Sequence, residues 1–117
     1  MRYFIFALAA LTSPALADDA RVEAVDAKHV STSWTFSVTL RHADTGWDDY
    51  ADGWRVEDAE GNVLGTRVLH HPHVNEQPFT RNLSGVNIPA EITQVYVRAR
   101  TLTTGWSTER AIVDLMP

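Results

Sequence analysis

From Ser33 to Arg41 the chain alternates without a break: Trp34, Phe36, Val38 and Leu40 fall on every second residue, with Thr35, Ser37, Thr39 and Arg41 between them. Successive side chains of a strand point to opposite faces, so this spacing gathers four large apolar groups on one sheet face, whereas a helix would scatter them around its surface. Thr93, Val95, Val97 and Ala99 repeat the pattern against Gln94, Tyr96, Arg98 and Arg100, which predicts a second strand with a small, β-branched inner side and a charged outer side. Asp58-Ala59-Glu60-Gly61-Asn62 separates Trp54–Glu57 from Val63–Leu69, a glycine-containing connection of hairpin length. Weaker strands are expected near Arg21–Ala27, Phe79–Val86 and Arg110–Leu115. About seven short strands at such spacing predict an all-β fold, an antiparallel β-sandwich.

The first 17 residues carry a different pattern. Met1-Arg2 is a short positive start, Tyr3 to Leu11 is apolar, Pro14 breaks the run, and Ala15-Leu16-Ala17 is the small-residue pattern that signal peptidase accepts. A cleavable signal peptide over residues 1–17 is therefore expected, with cleavage recognised through Ala15 and Ala17 and the mature chain starting at Asp18. The apolar run is far shorter than the roughly 20 residues that span a bilayer. Periplasmic or secreted localisation follows, with no membrane attachment after cleavage; a lipid anchor on cysteine is excluded because the 117 residues contain no cysteine.

Removing 17 of 117 residues leaves 100, enough for a single β-sandwich domain over 18–117. Without cysteine the fold rests on its core and hydrogen bonds alone. Arg2 goes with the leader, so nine Lys and Arg face 15 Asp and Glu, a formal charge of −6. An acidic chain with scattered arginines has no electrostatic footprint for nucleic acid or an anionic membrane.

Thr93-x-Val95-x-Val97-x-Ala99 followed by Thr104-Gly105-Trp106-Ser107 and a last strand resembles the final hairpin of fibronectin type III and related immunoglobulin-like domains. Trp34 and the Trp54–Leu64 hairpin fall in similar places, so the resemblance covers most of the mature chain and implies an immunoglobulin-like, fibronectin type III-like sandwich. It departs at Thr93, where many such domains carry a corner tyrosine. The segment from His71 to Arg81 is also similar to a group of small exported bacterial proteins, a likeness that implies an exported β-domain and no activity.

Three constellations bear on function. The loop Asp44 to Trp54 carries Asp44, Asp48, Asp49 and Asp52, hard oxygen donors of the kind Ca²⁺ takes, but the spacing is not that of an EF-hand loop and a solvated turn with aspartates capping backbone N–H groups is the plainer reading. In the same loop Trp47, Tyr50 and Trp54 offer an aromatic platform for a glycan or partner, with Trp54 expected to be buried because it leads into a strand. For catalysis there is no G-x-S-x-G elbow, no cysteine nucleophile and no H-E-x-x-H pattern, so the chain is not expected to be an enzyme.

The histidines supply the sharpest chemical hypothesis. Four of five lie between His42 and His73, three of them in His70-His71-Pro72-His73, with Glu76 three residues on. At a strand end His71 and His73 would share a side and His70 would take the other. Neutral imidazole suits Zn²⁺ and Cu²⁺. The expected metal ligands are thus His71, His73, Glu76 and His70, with His42 as a further candidate and Zn²⁺ or Cu²⁺ as the cofactor. The reading of the sequence is a noncatalytic exported sandwich that binds a transition metal through this cluster. Its alternative is a module that docks another periplasmic protein or a glycan through exposed aromatics or a sheet edge, with no metal.

Overall fold

The structure, a computed structural model, describes residues 18–116. The expected leader, with Ala15 and Ala17, lies outside the described residues; Asp18 is the first of them. Among them are eight strands and no helix: β1 (Arg21–Val30), β2 (Ser33–Arg41), β3 (Ala51–Glu57), β4 (Val63–Val68), β5 (Phe79–Val86), β6 (Gln94–Thr101), β7 (Gly105–Trp106) and β8 (Ala111–Asp114). They form two antiparallel sheets. One has the order β1-β2-β5; in the other β4 and β3 lead to β6, whose far side takes β7 at one end and β8 at the other.

The alternation in β2 does what its period requires. Trp34, Phe36, Val38 and Leu40 are buried and face the second sheet, from which Trp54, Val56, Val95, Val97, Ala99 and Val113 complete one core. In β6 the buried series is shifted by one step from expectation: Thr93 is exposed and precedes the strand, while Thr101 closes the series. The Thr101 hydroxyl can be buried because it lies 2.6 Å from that of Thr104 and accepts the Thr104 N–H at 2.9 Å. The last strand expected at Arg110–Leu115 is β8, and a two-residue β7 precedes it; between them Ser107 turns back onto β6, donating its N–H and hydroxyl to the Ala99 carbonyl.

The two sheets close most tightly where β4 nears β5. Gly65 sits there: a Cβ on it would lie 3.1 Å from Leu83 Cδ2 and 3.3 Å from Val86 Cγ2. On the outer face of the β3–β6 pair, register sets Arg55 opposite Arg98, a like-charge pair that alone would destabilise the ladder. Glu57 resolves it. Its fully buried carboxylate accepts from Arg55 at 2.6 Å, from Arg98 at 2.8 and 3.2 Å and from Arg110 at 3.1 Å. Burial pushes this carboxyl up, but the hydrogen bonds from Arg98, Arg55 and Arg110 outweigh it and hold the pKa at about 2. The Arg55 guanidinium also covers the Trp106 ring at 4.0 Å, and that of Arg110 covers Tyr96 at 4.0 Å.

Candidate functional site

The histidine segment lies beyond the strand that was expected to order it. β4 ends at Val68, and the buried Leu69 fixes the chain's direction by donating its N–H to the Asp52 carbonyl. His70 and His71 follow in irregular backbone, both exposed; His73 is buried. Its N–H donates to Asp44 Oδ2 at 2.8 Å, and its ring stacks on Phe79 with centroids 4.0 Å apart. The His71 ring is tilted against it at 4.9 Å. The two imidazoles therefore do meet, though the coil brings them together rather than a strand face.

Their neighbours decide what the pair can do. Arg81 Nη2 lies 2.9 Å from His73 Nε2. A guanidinium has only donors, so Nε2 is the acceptor and the neutral ring carries its proton on Nδ1. Burial, then the charges of Arg81 and His71, push the His73 pKa down and keep the ring in that neutral form. Both nitrogens are thereby withdrawn from metal binding: one lone pair is spent on Arg81 and the other nitrogen is protonated. Glu76 turns to Arg81 at 3.3 Å. Among the described residues no three His, Cys, Asp or Glu side chains are arranged to hold a metal ion, so His70, His71, His73 and Glu76 are not assembled into one site.

The acidic loop is organised around Asp44, which is buried. Its Oδ1 lies 2.6 Å from His42 Nδ1 and accepts the Ala51 N–H at 3.0 Å, while Oδ2 takes the His73 N–H. Asp44 therefore spends its carboxylate on capping two loops, and Asp52 turns to Arg100. His42 Nε2 reaches the Asp18 carbonyl at 3.0 Å, which ties the expected mature N-terminus to the same centre. Gln77 completes it by accepting the His42 N–H and donating to the His73 carbonyl, both at 2.9 Å. The sequence signal for this centre is a bare His-x-Asp after a strand, too common to single out.

Thus braced, the loop presents Trp47 to solvent. A turn closes on it through Thr45 N–H to Asp49 O at 3.0 Å and Asp49 N–H to Gly46 O at 3.2 Å. Trp47 is 65% exposed and meets Tyr50 edge-on with centroids 5.7 Å apart. Beside the indole runs a shallow groove of about 560 Å³ whose opposite wall is His71, His73, Val74, Asn75 and Glu76. Leu102, also exposed, joins this end of the molecule through its N–H to the Tyr50 carbonyl at 3.0 Å. Of the expected aromatic platform, Trp47 is exposed, Tyr50 half-buried and Trp54 wholly in the core.

No protein-family model matches the chain, and no solved structure matches it. A protein of Halomicrobium mukohataei named "Putative lipoprotein" is similar to it, 44% identical over 79 residues that make up 68% of this chain and 38% of the relative. The chain thus spans less than two-fifths of the relative's length.

Proposed function

We propose that this chain is a noncatalytic, exported binding module on a fibronectin type III-like sandwich, and that it docks its partner through the loop end bearing Trp47. The carrying observation is Trp47 itself: a large indole, 65% exposed, on a turn that buried carboxylate and histidine contacts hold in shape. A rigid exposed aromatic costs little entropy to dock and contributes much contact area. Support for the fibronectin-like reading is the position of β4, hydrogen-bonded to β3 rather than to β5, which divides the strands three and five, with β7 and β8 both along the far edge of β6, instead of extending the first sheet. Support for export is the sequence of residues 1–17 and the relative's name.

The other readings are weaker on the same geometry. His42 and Asp44 have the composition of a catalytic dyad, but the second ring nitrogen of His42 is on the Asp18 carbonyl and has no lone pair left for a nucleophile's proton. The metal reading retains the 4.9 Å approach of His71 to His73 and is opposed by Arg81. The test is cosedimentation of the mature chain, beginning at Asp18, with isolated cell envelopes of the producing organism. Wild type is expected in the pellet and Trp47→Ala in the supernatant with an unchanged melting temperature. Equal sedimentation of the two, or none by wild type, would overturn the proposal.

A further inference from the structure

The groove beside Trp47 contains a feature that packing alone does not account for. Arg81 fixes the His73 proton on Nδ1, and Nδ1 is buried with no hydrogen-bond partner among the described residues. A buried donor without an acceptor is uncommon in a folded protein and marks a place where an oxygen belongs. His71 is what stands over the His73 ring, and its grip is slight: the side chain is exposed and its Nδ1 lies 3.4 Å from the Pro72 carbonyl, a long contact. So weakly held, His71 can yield to a ligand that approaches His73 from the groove.

The groove joins this donor to an indole. Around Trp47 the wall includes Asn75, Glu76 and the imidazole of His71, an amide, a carboxylate and a ring nitrogen that offer both donors and acceptors, with Pro72 and Val74 beside them. Pro72 and Val74 add apolar surface beside the indole, but an apolar side chain would bring no acceptor to the buried His73 Nδ1–H. One exposed aromatic face beside planar polar groups instead matches a pyranose ring, whose C–H face is apolar while its rim is hydroxyl oxygen. Charge selects among sugars. Asp48 and Asp49 follow Trp47 in sequence and Glu76 lies across the groove, so a uronic or sialic acid would meet like charge at the Trp47 end, while the Arg81 guanidinium is spent on His73 Nε2 and Glu76.

Resting on the docking role of Trp47, we propose that this groove is a binding site for an uncharged pyranose glycan, with the sugar ring stacked on Trp47 and a hydroxyl or ring oxygen accepting from His73 Nδ1–H. Asn75 and Glu76 take flanking hydroxyls.

The mature chain is titrated with hexasaccharides of β-1,4-glucose, β-1,4-mannose, α-1,4-glucose and β-1,4-N-acetylglucosamine, and with hexagalacturonate. Binding is followed by calorimetry and by the ¹⁵N shifts of the indole and imidazole nitrogens. At least one neutral oligosaccharide is expected to bind, to move the Trp47 indole signal, and to shift His73 Nδ1 while it stays protonated. Trp47→Ala should weaken that binding by about tenfold or more. His73→Phe, which keeps the stack on Phe79 but lacks the donor, should weaken it as well, with His73→Asn retaining more. The nitrogen shifts of the unmutated protein test the hydrogen bond even where His73→Phe fails to fold. Silence towards every neutral sugar, preference for hexagalacturonate, a His73 signal indifferent to ligand, or binding untouched in Trp47→Ala would each overturn the proposal. Envelope binding that is lost in Trp47→Ala but not competed by any sugar would overturn the glycan while leaving the docking role in place.

Discussion

Arg81 donates to Nε2 of His73 at 2.9 Å, and this bond decides the tautomer of the ring. Desolvation already disfavours an imidazolium at this buried position, and a fixed guanidinium disfavours it further. The folded protein therefore holds His73 neutral at a pH where the unfolded chain would protonate it.

Because its folded pKa lies below the unfolded value of 6.5, His73 contributes its stability above that value and loses it as pH falls through 6.5 towards the depressed folded pKa. We expect the melting temperature to drop on acidification from about pH 7 into that window, and His73→Phe to flatten this limb of the profile. A wild-type profile that is level between pH 7 and 5 would refute the assignment.

The positions of the strands follow from features the sequence displays openly. β2 begins and ends at the residues where alternation begins and ends, and Gly61, in the left-handed region at φ +86°, makes the turn that its place in Asp58–Asn62 implies. What was not legible depends on register. Nothing local says that Arg55 faces Arg98, and so nothing local says that Glu57, a charged residue at a strand end, is buried. His71 and His73 meet, but in coil beyond β4 rather than on the strand side that their spacing predicts, and Arg81, eight residues on from His73, bears on what they can do by arriving from β5. Burial and partner identity come from strands distant in sequence, whereas periodicity is a property of each strand alone.

Glu57 provides the second pH limb. Held at about 2 against an ordinary 4.5, it contributes stability above pH 4.5 that is lost as pH falls towards 2, on the order of 3 kcal/mol by linkage. Replacing it with glutamine leaves three guanidiniums around a neutral amide. We expect Glu57→Gln to cost about 3–5 kcal/mol at neutral pH, the range for breaking a buried ion pair on one side, and to level the melting profile below pH 4.5. Urea denaturation at pH 7 and pH 3 checks both.

Gly65 separates packing from charge. An added methyl would press on Leu83 and Val86 at 3.1 and 3.3 Å, inside normal contact, in the seam between β4 and β5. The neighbouring atoms are side-chain methyls that can shift, so Gly65→Ala should destabilise by about 1–3 kcal/mol rather than prevent folding. Its effect should be the same at pH 7 and pH 5, since no titrating group is disturbed. A neutral or stabilising result in urea denaturation would show that the sheets are less tightly closed there than the contacts imply.

Metal binding at His71 and His73 is decided by the same guanidinium that fixes the tautomer. A Zn²⁺ or Cu²⁺ ion that took His73 would have to displace Arg81 from Nε2 or the proton from Nδ1, in a pocket whose nearest charge is positive. Glu76, the carboxylate that would offset this, is turned to Arg81 as well. A ligand at a hundred times its dissociation constant adds about 2.7 kcal/mol, which for about 100 residues is ten degrees or more in melting temperature. We expect micromolar Zn²⁺ or Cu²⁺ to move the wild-type melting temperature by less than about two degrees. Arg81→Ala releases both His73 Nε2 and Glu76 beside His71, and should acquire a metal-dependent shift that His71→Ala then removes and that fades as pH falls through the imidazole range. A large wild-type shift abolished by alanine at His71 and His73 would mean that the ion outcompetes Arg81, and the metal reading would displace the one argued from Trp47.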